Sequence, residues 1–138
     1  MSDMQVRSLG GDAFAVRIRG HLVVTDQPSD AGGQDAGPTP TELFVAGLAS
    51  CAAFYAGRFL RRHDIAPDEL EVRAAFRMSG GRPARVEEIT LQLDLPAGFP
   101  EHRRAALLRV VDACTVHNSL REAPTVHVQV TRPALVVG

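Results

Sequence analysis

The run Gly37-Pro38-Thr39-Pro40-Thr41-Glu42-Leu43-Phe44-Val45-Ala46-Gly47-Leu48-Ala49-Ser50-Cys51 limits what this chain can fold into more than any other stretch. Thr39 suits an N-cap and Pro40 the first helical position. Glu42, three residues after Thr39, completes a capping box, so a helix starts here. From Leu43 to Gly57 only Ser50 is strongly polar. A helix with no polar face is either enclosed on every side or lies in a membrane. The apolar run falls short of the roughly 18–20 residues that a span requires, and Arg58, Arg61 and Arg62 follow closely. The expectation is therefore a central, enclosed helix running to about His63, where Pro67 bars continuation. One small chain wraps such a helix with difficulty, which points to a homodimer.

The remaining segments read as material to surround it. Phe14, Val16 and Ile18 alternate with Ala15, Arg17 and Arg19, and Gly10-Gly11-Asp12 reads as a turn. A hairpin of Gln5–Leu9 and Asp12–Arg19 is expected, with His21–Thr25 as a third short strand. Residues 26–38, rich in Gly, Pro, Asp and Ser, form a loop. Alternation returns over Glu69–Ser79 and Arg85–Leu95, joined by Ser79-Gly80-Gly81-Arg82-Pro83. An amphipathic helix is expected from Pro100 to about Ala113, with Ala106, Leu107, Val110 and Val111 inward. A last strand is expected at Thr125–Thr131. The order β-β-β-α-β-β-α-β is an α+β pattern of antiparallel sheet and two long helices, in one domain over residues 1–138.

Composition removes several function classes. A net charge of −1 with 22% charged residues leaves no basic surplus for nucleic acid, and one Tyr with no Trp leaves few stacking platforms. Met1 to Arg7 holds no apolar signal core, so a cytoplasmic protein with no membrane partner is expected. The two cysteines are Cys51, on the central helix, and Cys114, in Cys114-Thr115-Val116-His117-Asn118-Ser119-Leu120. In a reducing compartment such a pair is free, catalytic or metal-bound more often than a structural staple. The bland alternative is two small buried hydrophobes. No close Cys-x-x-Cys pair supports zinc held by Cys51, Cys114 and His117, so neither metal nor cofactor is expected.

Three blocks together resemble the OsmC/Ohr superfamily, the osmotically inducible and organic hydroperoxide resistance proteins. They are Gly20-His21 through Asp26 and Pro28, Gly32-Gly33 through Cys51, and Cys114 to Leu120. Gly-Pro-x-Pro-x-Glu-Leu with a Cys nine residues past the Glu is a specific pattern, and Cys-x-Val-His-Asn-x-Leu strengthens it. The resemblance implies an OsmC-like fold: antiparallel sheets wrapped around two long central helices in an intertwined homodimer. It also implies a thiol peroxidase that reduces organic hydroperoxides in oxidative stress defence. Cys51 would be the peroxidatic residue and Cys114 the resolving one, with a lipoylated protein or small dithiol as reductant. One departure is informative. The peroxidases of the superfamily carry a Glu ten residues before the first Cys, paired with an Arg; Thr41 stands there in this chain. Glu42 resembles instead the broader OsmC-like branch.

The chemistry sets its own demands. A peroxidatic sulfur attacks as thiolate, whereas a free cysteine titrates near pH 8.5. Cys51 lies about three turns into its helix, too deep for the N-terminal dipole, so a cation or donor from elsewhere is required. Arg17 and Arg19 are the candidates, against a default of a solvated strand face. Glu42, nine residues before Cys51, falls on the opposite face of the helix, where capping accounts for it. His117, three residues after Cys114, is open to three readings: base, ligand or structural hydrogen-bonding group. Phe44, Leu48, Phe54 and Tyr55 are expected to line an apolar substrate entrance. The alternative to an enzyme is a non-enzymatic ligand-binding or stress protein that keeps the fold but lacks an efficient Glu–Arg pair.

Overall fold

The computed structural model describes residues 3–135. Three antiparallel strands come first: β1 (Met4–Gly10), β2 (Ala13–Ile18) and β3 (His21–Thr25), in spatial order β1-β2-β3. Val6 faces Val16 across β1 and β2, and Phe14 faces Thr25 across β2 and β3. The turn between β1 and β2 uses Gly10 and Gly11 at φ 98° and 55°, a backbone region that side chains resist. α1 (Pro40–Arg62) follows, then the antiparallel hairpin of β4 (Glu71–Met78) and β5 (Val86–Asp94). Two short helices, α2 (Arg104–Asp112) and α3 (Thr115–Arg121), complete the order. The mixed architecture of antiparallel sheets and helices is the expected one.

The segment between β3 and α1 is organised by Asp26, whose side chain is buried. Its Oδ1 accepts from the Gln27 N–H at 2.7 Å, and its Oδ2 accepts from Gln34 and Ala36 at 3.1 Å each. The Asp26 N–H in turn donates to the Pro38 carbonyl at 3.1 Å. Gly33 and Gly37 lie so close to backbone that a Cβ would come within 2.1 Å of the Gln27 and Val24 carbonyl oxygens. This compact loop delivers the chain to Thr39. There the capping box forms as expected: Thr39 Oγ1 accepts from the Glu42 N–H at 3.1 Å, and Glu42 Oε1 accepts from the Thr39 N–H at 2.9 Å.

α1 packs against β4, β5, α2 and α3. Its inner stripe is Ala52, Ala56 and Leu60, each at most 1% exposed, spaced by four as one helical face demands. These residues join Phe59, Leu107 and Val111 in the core, with Leu91, Leu93 and Leu95 packed beside them. Ala106 and Val110 of the second predicted helix also pack there. One length expectation is corrected. The helix has 23 residues and is by length and composition long enough to cross a membrane, because the helix continues beyond the apolar run at both ends, through Pro40–Glu42 and Arg58–Arg62. Its buried inner stripe nevertheless gives it the position of a core helix.

Two further differences share a cause. The strand expected at Thr125–Thr131 is not formed, although its alternation is intact: Val126, Val128 and Val130 are 78%, 85% and 94% exposed. A strand exists only beside a neighbour, and none of the described strands pairs with this segment. Likewise Phe76 and Met78, on the apolar face of β4, remain exposed. The three-stranded sheet meets α1 mainly at its start, where Val6, Phe14 and Val16 face Pro40 and Leu43 across an apolar hollow. The structure also divides the helix expected at 100–113: a 3₁₀ turn over Glu101–Arg103 precedes a nine-residue α2, so α1 is the one long helix where two were expected.

Two outcomes follow from this packing. Leu60→Ala empties a fully buried position and is expected to cost about 2–5 kcal/mol in urea unfolding. The Asp26 carboxyl is held below its ordinary range by the N–H groups of Ala36 and Gln27, against the opposing effect of burial. A depressed folded pKa means that its stabilisation is complete above about pH 4 and is lost as pH falls through the folded value. Asp26→Asn should therefore flatten the acid limb of the stability–pH curve while lowering stability at neutral pH.

Candidate active site

The inner stripe of α1 carries Cys51 at its edge, one residue before Ala52. On the other side α2 ends at Asp112, and Cys114 follows three residues after the buried Val111. The helix–helix contact thus brings together two segments far apart in sequence. Cys51 and Cys114 are both free thiols, Cys51 half-buried and Cys114 only 1% exposed. They lie near enough for the Cys51 sulfur to raise the Cys114 thiol.

Cys114 has a second role, as the N-cap of α3. Its backbone is extended, and its Sγ accepts the His117 N–H at 3.4 Å, filling the place that Ser or Asp ordinarily takes. Burial, the largest influence, pushes the Cys114 thiol above its ordinary value. The Cys51 sulfur adds to this, and the N–H groups of His117 and Val116 oppose it. Cys114 therefore holds its proton and is a poor first nucleophile.

The Cys114 sulfur also forms part of the wall of a cavity of about 480 Å³. Phe44, Leu48 and Ala52 of α1 line one side, and Ile89, Leu91 and Leu93 of β5 line another. Leu108, His117 and Leu120 close the end nearest Cys114, and Glu87, Glu88 and Asp112 bring carboxylates to the same space. Of the four residues expected at an apolar entrance, Phe44 and Leu48 line this cavity. Phe54 and Tyr55 do not: Phe54 is 54% exposed, and Tyr55 directs its hydroxyl to Thr115 Oγ1 at 3.1 Å. Closeness to Cys51 in sequence does not choose the face. Residues 44, 48 and 52 form one stripe, whereas 51, 55 and 58 form the next.

The supporting residues divide in the same way. Glu42 is engaged in the capping box, two and a half turns from Cys51. Arg17 and Arg19 are exposed on the three-stranded sheet and its outer turn, away from the cavity wall. His117 does share the Cys114 neighbourhood, with Nδ1 3.6 Å from Asp112 Oδ1. Thr115, Asp112 and Arg121 were not singled out from the sequence. Arg121 ties the end of α3 back to α2 through Asp112, with 2.8 Å contacts to its carboxylate and to its carbonyl. The signal for these was Cys114 itself: once it is read as a cap, the residues just before and after it frame a short helix. Among the described residues no three His, Cys, Asp or Glu side chains group as metal ligands.

The chain belongs to the OsmC-like protein family, whose profile matches residues 32–129. Among curated proteins none matches its sequence significantly. Solved structures share the fold at low identity. A Psychrobacter arcticus protein provisionally named for osmotic stress induction and detoxification response is 21% identical, with a TM-score of 0.79 over 86% of this chain and 88% of that one. An OsmC-like protein from Mycoplasma pneumoniae is 19% identical, with a TM-score of 0.73 over 89% of each chain. The organic hydroperoxide resistance protein OhrB of Bacillus subtilis is 17% identical, with a TM-score of 0.62 over 89% of this chain and 92% of that one.

The two thiols should be chemically distinct. With one equivalent of iodoacetamide near neutral pH, peptide mapping is expected to find the label on Cys51 first. Unfolding in urea should erase the preference, because burial is what protects Cys114.

Proposed function

We propose that this protein is a thiol-dependent peroxidase that reduces organic hydroperoxides as part of oxidative stress defence. The observation that carries this reading is the closeness of the chain's two cysteines across the α1–α2 contact, with Cys114 in the wall of an apolar cavity and Cys51 on the neighbouring stripe of α1. The half-buried Cys51 attacks the peroxide oxygen as thiolate, the O–O bond breaks, the alcohol leaves with a proton, and Cys51 becomes a sulfenic acid. The Cys114 thiol then attacks the oxidised sulfur, the S–O bond breaks, and water leaves as the disulfide forms. A dithiol, on a lipoylated protein or a small molecule, returns both sulfurs to thiols by exchange. The apolar walls at Phe44, Leu48 and Leu91 favour an organic over an inorganic peroxide. Several structures with the same fold carry organic hydroperoxide resistance names, which supports the class of substrate. A cytoplasmic setting, where thiols are kept reduced, suits the cycle.

The working form in this reading is a homodimer. The uncovered faces at Phe76 and Met78, the alternating valines of 126–130 and the hollow between the first sheet and α1 each lack a cover within one chain. A second copy supplies the missing strand edges and helix flank together. It also supplies a cation to Cys51 from a sheet that is remote within one chain.

One observation favours a second reading, a ligand-binding protein without turnover. Thr41 takes the position of the peroxidases' glutamate, and Glu42 is spent on the helix cap. Turnover assays separate the two. Cys51→Ser should abolish consumption of cumene hydroperoxide, and Cys114→Ser should allow a single round followed by inactivation. Full activity in Cys51→Ser would refute the mechanism; a silent wild type that binds apolar ligands would favour the binder. Sedimentation should give the mass of two chains.

A further inference from the structure

We propose that Tyr55 and Thr115 form a positioning pair that sets the approach of the Cys114 sulfur to Cys51. The inference rests on reading the two cysteines as a redox pair. Tyr55 lies four residues after Cys51, one turn along the same stripe of α1. Thr115 directly follows Cys114 and opens α3. The 3.1 Å hydrogen bond between their hydroxyls therefore joins the two sulfur-bearing segments one helical turn from Cys51 and one residue from Cys114.

Both ends of this tie are themselves held. The Phe54 ring meets the Tyr55 ring edge-on, 5.3 Å between centroids at 85°, and the Arg58 guanidinium lies 5.8 Å over the Tyr55 ring. Across the gap, the far end of α3 is anchored through Arg121 to Asp112. Closing the disulfide brings the sulfurs to about 2.05 Å, and the Cys114 sulfur that now accepts the His117 N–H has to turn toward Cys51. The wider the range of positions open to its backbone, the more conformational freedom closure costs. A tie at the next residue restricts that range before the bond forms. Neither Tyr55 nor Thr115 lines the cavity, and their tie joins the segments that carry the sulfurs, so the pair acts on closure.

Exchange with glutathione isolates this effect without any peroxide. One oxidised glutathione gives up its S–S bond as the Cys51–Cys114 bond forms, and the two protein thiol hydrogens leave on two reduced glutathiones. The equilibrium constant is the effective concentration of one protein thiol at the other. Tyr55→Phe and Thr115→Val should each lower it about two- to fivefold, only part of the roughly tenfold worth of a whole net hydrogen bond, because the tie is already made in the dithiol form. The double variant should fall no further than either single, and Thr115→Ser should keep the wild-type value. An unchanged or higher constant in Tyr55→Phe, or full additivity in the double variant, would overturn the inference. A wild type that forms no Cys51–Cys114 disulfide would overturn the redox reading and this inference with it. A chain that shows the predicted exchange constants yet consumes no peroxide would leave the positioning pair standing and remove only the peroxidase.

Discussion

Where Ala52, Ala56 and Leu60 of α1 meet Leu107 and Val111 of α2, two methyl-sized side chains let the helices approach closely enough to exclude water. The site depends on that contact. Cys51 precedes the first alanine by one residue, and Cys114 follows the valine by three, so the separation of the sulfurs is set by how near the helices come. A bulkier residue at 52 or 56 would push α2 outward and carry Cys114 with it. Stability and chemistry are thus drawn from the same few atoms, and the core cannot be repacked without moving the site.

The other flank of α1 shows what one chain leaves undone. Phe44 and Phe54 stay exposed, and so do Phe76 and Met78 on the neighbouring sheet. Apolar area left in water forgoes about 25 cal/mol per Å² of the stabilisation that burial would bring. The valines at 126, 128 and 130 have the period of a strand without an edge to join. These features lie on different elements and all ask for a cover of the same kind, which is why the homodimer belongs to the functional reading.

Much of this was legible in the residues. The α1 start was readable from Thr39, Pro40 and Glu42 because a capping box is a local arrangement, complete within four positions. The three-stranded sheet and the β4–β5 hairpin were readable from alternation interrupted by glycines. The cavity was only half readable: Phe44 and Leu48 line it, whereas Phe54 and Tyr55 belong to other faces. That distinction depends on helical phase relative to α2, which is a tertiary fact. Cys114 as a helix cap was less legible still, since sulfur is rarely chosen for that role and Ser or Asp carry the usual signal. The terminal strand was legible as a pattern, but a strand also needs a paired neighbour, and alternation along one segment does not specify one.

The loop around Asp26 carries a different kind of constraint. Gly33 and Gly37 are required there by space and not by an unusual backbone angle, since a single methyl group would collide with a main-chain oxygen. The collision cannot be relieved by turning a flexible side chain; it would displace the peptide that presents Thr39. Such a shift would propagate along a stiff rod, rotating and lifting the thiol three turns further on. Two hydrogen atoms on the approach to the helix thereby act as a gauge for the position of the reactive sulfur.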